Sequence, residues 1–287
     1  MTRPLNGLSE LAGRYDVLLS DVWGVIHNGV TPYPDACAAL ARWRAEQGPV
    51  ILISNAARPW PEVAAQLDEI GVPRAAWSAL VTSGDVTRDV LAARAPGPVY
   101  RIGPERAAPL YAGLGLAFAD DLDAAAFICC TGPDDDDVET PEDYRALLTR
   151  AAGLRLPFVC ANPDKVVQRG DRLIYCGGAL ADLYEALGGE TVMAGKPHVP
   201  IYEACYGRAA ELLGRPVDRR GVLAIGDGLP TDVQGANAQG LDLLFVAGGI
   251  HGAELVRPGG SLDVPATDDL LAASGLHAAY AMAGLAW

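Results

Sequence analysis

No stretch of this chain approaches the ~18 consecutive apolar residues of a membrane-spanning helix, so a membrane-embedded role is not expected. The opening residues, MTRPLNGLSELAGRYD, lack the apolar centre of a secretory signal, which makes a cytoplasmic location the expectation. Positive charge is in deficit, with 22 Lys and Arg against 36 Asp and Glu and a net charge of −14. Nucleic acid and anionic membrane surfaces are therefore poor general partners, although a local pocket can still hold a small anion. The six cysteines, at 37, 129, 130, 160, 176 and 205, contain no CxxC pair and no metal-ligand spacing. Several stand inside apolar runs, as in Phe127-Ile128-Cys129-Cys130, and are expected as reduced core thiols. The chain also has no internal repeat, low-complexity tract or long linker, so any domain boundary must be a short crossing between ordered elements.

What is present is a rhythm. Short apolar runs bounded by Gly, Pro, Asn and Asp fall at 15–20, 49–54, 97–102, 125–130, 156–160, 221–225 and 241–247. Between most of them lie stretches with helical spacing, at 34–47, 61–70, 141–152, 179–187 and 199–213. Buried strands alternating with helices predict a parallel α/β sheet covered on both faces, doubly wound by default. At 287 residues the chain is long enough for one large domain or two smaller ones. Thr140-Pro141-Glu142-Asp143 marks a helix start, with an N-cap, a proline at the first position and acids in the first turn. The four acids Asp134 to Asp137 just before it show no alternating ligand pattern and read as a solvated loop.

In open α/β sheets, ligands bind beyond the carboxyl ends of the strands. Four stretches lie at or near such positions: Asp21-Val22-Trp23-Gly24 after YDVLLS, Ser54-Asn55 after VILI, Gly195-Lys196-Pro197 before a helix, and GDGLPTD (226–232) after VLAI. Alone, Asp21 reads as a turn former or helix cap, Ser54 and Asn55 as local caps and Lys196 as a surface lysine. GDGLPTD is the most specific, because its two acids, five apart across a Gly-Pro turn, can converge on a cation. Lys196 is not in a P-loop, because Glu190 stands where that loop needs glycine. Gly226-Asp227-Gly228 opens like a dinucleotide fingerprint, but Thr231 occupies the third glycine position. Together, a carboxylate, a hydroxyl with backbone donors, a lysine and a carboxylate pair are what phosphoryl transfer requires, because its spread negative charge must be held and neutralised.

In order and spacing the four stretches resemble the haloacid dehalogenase-like hydrolase superfamily, whose motifs are a DxDGT/V turn, a Ser/Thr after the second strand, a Lys and a GD(x)4D loop. The 141 residues between Ser54 and Lys196 look like the cap inserted there in class IIA, the NagD-like sugar phosphatase and nucleotidase branch. Asn162-Pro163-Asp164 and Gly195-Lys196-Pro197-His198 are also similar to that branch. The resemblance implies a Rossmann-like, doubly wound core from 1–83 and 190–287, with the inserted α/β cap domain of that class at 84–189. It implies a Mg²⁺-dependent phosphatase acting on a small phosphorylated metabolite such as a sugar phosphate, nucleotide, or aryl or acyl phosphate. Asp21 would be the nucleophile, and Ser54 with the Asn55 backbone would hold the phosphoryl oxygens. Lys196 would pair with both Asp21 and the phosphate. Asp21, Asp227, Asp232 and the main-chain oxygen of Trp23 would bind the metal. A homodimer joined through the cap is a further expectation.

Trp23 departs from the pattern, since family phosphatases place there the acid that protonates the leaving group. Its indole can only donate a hydrogen bond. Losing a positioned acid typically costs ~10²–10⁴-fold in rate. His27 is a candidate substitute because its ordinary pKa lies near neutrality, and a structural role for it is equally open. Acidic leaving groups would need no protonation. Two other readings stay open: a phospho-ligand binding protein with vestigial turnover, and hydrolysis at carbon as in the dehalogenases, which the Asp227–Asp232 pair disfavours. Trp43, Trp60 and Trp77 read as core or cap contacts.

Overall fold

The computed structural model describes residues 2–169 and 172–287. Among these, seven strands form one sheet in the order Arg3–Pro4, Tyr280–Met282, Asp242–Val246, Val222–Gly226, Val17–Ser20, Val50–Ser54 and Ala79–Thr82, and every pairing is parallel. Leu18, Leu52, Leu223 and Leu244 pack on one face, while Val17, Leu19, Ile51 and Leu243 pack on the other. Two covered faces explain why these strands read as continuous apolar runs. Helices Pro34–Glu46 and Trp60–Ile70 cover the first face with Leu40, Trp43, Val63 and Leu67. Helix Val199–Leu213 covers the second with Ile201, Tyr202, Cys205 and Ala209.

After Ala79–Thr82 and the helix Ser83–Ala92, the chain builds a second parallel sheet, ordered Thr191–Met193, Phe158–Cys160, Phe127–Cys130 and Val99–Ile102. An antiparallel hairpin, Val166–Arg169 with Arg172–Tyr175, accompanies it. The architecture is thus a Rossmann-like core with an inserted α/β cap. Thr191–Met193 pairs with Phe158–Cys160, so it belongs with the smaller sheet although it lies beyond the expected return to the core at 190. Three residues with polar flanks carry too weak a pattern to be read as a strand. All six cysteines are buried and free. Trp43 and Trp77 are core residues, but Trp60 is 45% exposed, because it opens its helix on the outward side.

Two neighbouring strands set the site. From Val17–Ser20 the chain proceeds to Val50–Ser54 on one side, and from Val222–Gly226 to Asp242–Val246 on the other. Their shared border is the topological switch point, where the connections diverge and leave a crevice at the carboxyl ends.

Candidate active site

Asp21 follows the first of these two strands and Asp227 the second, so the switch point carries two carboxylates. The Asp21 N–H donates to the Ile225 carbonyl at 2.8 Å and locks the two strand ends together. A single π-helical turn, Leu229–Val233, then brings Asp232 back toward Asp227. Such turns are rare and frequent at functional sites. The Asp232 carboxylate accepts from the Gly228 N–H at 3.0 Å, and that of Asp227 accepts from the Ile250 N–H at 2.7 Å. One oxygen from each of Asp21, Asp227 and Asp232 lies within 4.8 Å of the others. Lys196 Nζ stands 2.5 Å from Asp21 Oδ1 and 2.7 Å from Asp232 Oδ1 with 2% of its side chain exposed.

Burial, then the charge of Asp232, pushes the Asp21 carboxyl well above the usual carboxylate range. The same two causes push Asp227 up to about 7. Burial alone would lower Lys196, but Asp21 and Asp232 hold it firmly protonated. One ammonium against three converging carboxylates leaves an excess of buried negative charge. That donor set, all hard oxygen, fits a divalent cation such as Mg²⁺.

Ser54 and Asn55 end the next strand, Val50–Ser54, beside the same crevice. Ser54 Oγ accepts from the Ala56 N–H at 3.2 Å, which leaves its hydroxyl proton to donate. The Asn55 amide ties the motifs together: Oδ1 accepts from the Lys196 N–H at 2.8 Å, and Nδ2 donates to the Lys196 carbonyl at 3.1 Å and to Asp164 at 2.9 Å. Asp164 was not singled out as a site residue from sequence. Its place depends on how the inserted segment lies over the core, which no local pattern encodes.

The turn after Asp21 is shaped by two glycines. A Cβ on Gly24, at φ +84, would fall 2.2 Å from Asp227 Oδ2, and one on Gly29, at φ +87, would fall 2.3 Å from the Trp23 ring. Trp23 is thereby laid against Gly29 and edge-on to His27, with ring centroids 5.1 Å apart. Its indole N–H donates to the carbonyl of Gln168 on the inserted hairpin. His27 is enclosed within this turn. It is 2% exposed, its Nδ1 accepts from the Gly29 N–H at 2.8 Å, and burial pushes its pKa down to about 4. A neutral imidazole with one nitrogen already engaged is not a source of protons at pH 7.

These elements line a cavity of about 810 Å³ walled by both sheets' loops, including Asp21, Trp23, Ser54, Asp164, Asp227 and Asp232. The acidic run is a solvated loop as expected, with Asp134, Asp135 and Asp137 exposed. It is also tied down: Asp134 accepts from the Gly103 N–H, Asp136 pairs with Arg106 and Arg169, and Asp137 pairs with Arg172 at 3.2 Å. Among the described residues no helix is long and apolar enough to cross a membrane.

Comparison with known proteins gives consistent matches. A family model described as haloacid dehalogenase-like hydrolase matches residues 18–117, and a second, HAD-hydrolase-like, matches 193–273. A D-glycerol 3-phosphate phosphatase of Mycobacterium tuberculosis is 32% identical over 255 residues, covering 86% of this chain and 67% of that protein. The structure of a hydrolase of the haloacid dehalogenase-like family from Brucella suis aligns with a TM-score of 0.87 at 46% identity, over 98% of this chain and 99% of that one. A glycerol phosphate phosphatase of M. tuberculosis, solved in complex with magnesium, aligns with a TM-score of 0.63 at 27% identity, over 84% of this chain and 70% of that one.

Proposed function

The chain belongs to the haloacid dehalogenase-like hydrolases, and on that premise we propose that it hydrolyses phosphate monoesters of small metabolites through Asp21, with Mg²⁺ as its cofactor. The observation that carries this reading is the buried Lys196 ammonium, held between Asp21 at 2.5 Å and Asp232 at 2.7 Å beside Asp227. A lysine so placed opposes the burial and the Asp232 charge that favour a protonated Asp21, aims its carboxylate, and offers its own remaining proton to a phosphoryl oxygen.

Asp21 attacks phosphorus, the bond to the leaving oxygen breaks, and the aspartyl-phosphate formed is hydrolysed by water. The Ser54 hydroxyl and the Asn55 N–H hold the phosphoryl oxygens, while the Asn55 amide fixes Lys196. Asp21, Asp227, Asp232 and the Trp23 carbonyl are the oxygens that would hold Mg²⁺, which when bound offsets the negative charge of the phosphoryl group. The magnesium complex of the M. tuberculosis phosphatase supports that choice of ion. We take the cap as the segment from Ser83 to Met193, closing over the cavity to exclude water. Trp23 contributes a bond to that cap in place of a proton to the leaving group. Esters whose leaving groups depart unprotonated, aryl and acyl phosphates, are therefore the favoured substrates.

Phosphate release from aryl and alkyl phosphates, with Mg²⁺ and with EDTA, tests the reading. Turnover is expected to need Mg²⁺ and to fall steeply from aryl to alkyl esters. Trp23→Asp is expected to raise alkyl ester turnover by up to ~10²-fold, the lower range for a restored general acid. Turnover that persists in Asp21→Asn would remove the covalent route.

A further inference from the structure

A second set of charges meets in the same cavity, and phosphoryl transfer at Asp21 makes no use of it. Arg58 lies three residues beyond Asn55, just before the helix Trp60–Ile70, and is half-buried in the cavity wall. Its guanidinium donates to Gln66, and among the described residues it has no carboxylate in ion-pair contact. Glu62 and Glu69 act on it only as more distant charges. Arg106, from the inserted segment, lines the same cavity as Arg58, and its charge adds to burial in lowering the Arg58 pKa. Arg106 and Arg169 in turn share one carboxylate, Asp136, whose side chain is 11% exposed. Three guanidinium groups thus line the cavity, two of them sharing Asp136, with Arg169 also reaching Asp137 at 3.6 Å.

Arg58 is half-buried without a carboxylate in ion-pair contact, while Arg106 is exposed and paired with Asp136, so positive charge from core and inserted segment reaches one cavity and is only partly offset. The arrangement becomes favourable when an anion sits between the forks, because a guanidinium matches carboxylate and phosphate with paired, charge-assisted hydrogen bonds. We propose that Arg58, with Arg106 opposite it, forms a second anion subsite that takes a carboxylate or second phosphate on the part of the substrate remaining after phosphate is removed. The inference rests on the monoester hydrolase reading and narrows its substrates to monoesters bearing a further anionic group. An anion held from both sides also draws core and cap together over the reacting phosphate.

Binding and turnover test the two readings separately. Calorimetric titration of Asp21→Asn with Mg²⁺ compares phenyl phosphate, 4-carboxyphenyl phosphate and 1,4-phenylene bisphosphate. At least one of the latter two is expected to bind about ten- to hundredfold more tightly than phenyl phosphate, as for a charge-assisted pair. Which one binds better identifies the preferred anion. Adding Arg58→Met should reduce the preference to within about threefold, and Arg58→Lys should keep part of it. If Arg58→Met does not fold by circular dichroism, Arg106→Met serves the same purpose. Equal binding of all three probes overturns the subsite, and so does a preference that survives both arginine substitutions. Wild-type phosphate release from all three probes reads the hydrolytic function alone. No release alongside an intact binding preference would end that reading and leave the subsite standing.

Discussion

The two parallel sheets obey one packing rule and differ in what stands at their strand ends. Both bury alternate residues on two faces: Leu18 against Leu19 in the larger sheet, Ile128 against Cys129 in the smaller. The residues that follow three strands of the larger sheet are Asp21, Asn55 and Asp227, whereas Gly103, Thr131 and Ala161 follow three strands of the smaller. Among the described residues, the one group of acids arranged to hold a metal is at the larger sheet. A parallel sheet therefore supplies a rim, and the side chains placed on that rim supply the chemistry. The smaller sheet acts through its loops and hairpin instead, with Asp164 bonded to Asn55 and Gln168 to Trp23.

If that division is right, rim and face substitutions have opposite consequences. Asp21→Asn is expected to lower kcat for an aryl phosphate by at least about a thousandfold, since it removes the attacking group. Its urea midpoint in metal-free buffer should not fall, because Asn replaces a carboxylate that burial and Asp232 disfavour. Leu223→Ala in the larger sheet and Ile128→Ala in the smaller should each cost about 2–5 kcal/mol in urea unfolding. Both positions are fully buried. An Asp21→Asn protein as unstable as Leu223→Ala would erase the distinction between rim and face.

A smaller effect follows from the excess acid on the rim. With its carboxyl raised to about 7 by burial and by Asp232, folded Asp227 binds a proton that the unfolded chain has already lost. Its contribution to stability is complete below the unfolded Asp value of about 4 and is lost as pH rises through about 7. Thermal melts in EDTA should therefore show stability falling across that interval, by on the order of a few kcal/mol. Added Mg²⁺ or Asp227→Asn should flatten the fall. A melting temperature that rises from pH 5 to pH 7 in EDTA would contradict the charge count at the rim.

The same contrast explains what the sequence made legible. The seven apolar runs are strands because two covered faces demand unbroken hydrophobicity, and the four motifs stand out because each immediately follows or precedes such an element. Ala79–Thr82 and Tyr280–Met282 escaped because they are short and bounded by small or polar residues. Within the site, Arg58 and Arg169 carry no local signal, while Asp164 stood only within the Asn162-Pro163-Asp164 resemblance and gains its place from Asn55, 109 residues away. The two readings of His27 stayed open in the sequence for a related reason. Its ordinary pKa suggests proton transfer, but burial and a backbone donor decide its protonation, and neither is visible in the letters around it.

The smallest expected effect concerns the joint between the two regions, where Trp23 stands in place of an acid and donates to the Gln168 carbonyl. Trp23→Phe keeps an aromatic ring in the turn but deletes the donor together with the outer part of the indole that lies against Gly29. A single neutral hydrogen bond is worth about 0.5–1.5 kcal/mol net, so the substitution should raise KM for an aryl phosphate by about two- to tenfold. The chemical step does not use the indole, so kcat should move much less. Trp23→Asp should show the reverse pattern, weakening the joint while restoring an acid to the leaving-group side. If Trp23→Phe lowered kcat and left KM unchanged, the indole would be acting on the reaction and not on the cap, and the separation of rim from joint would fail at the residue where the two meet.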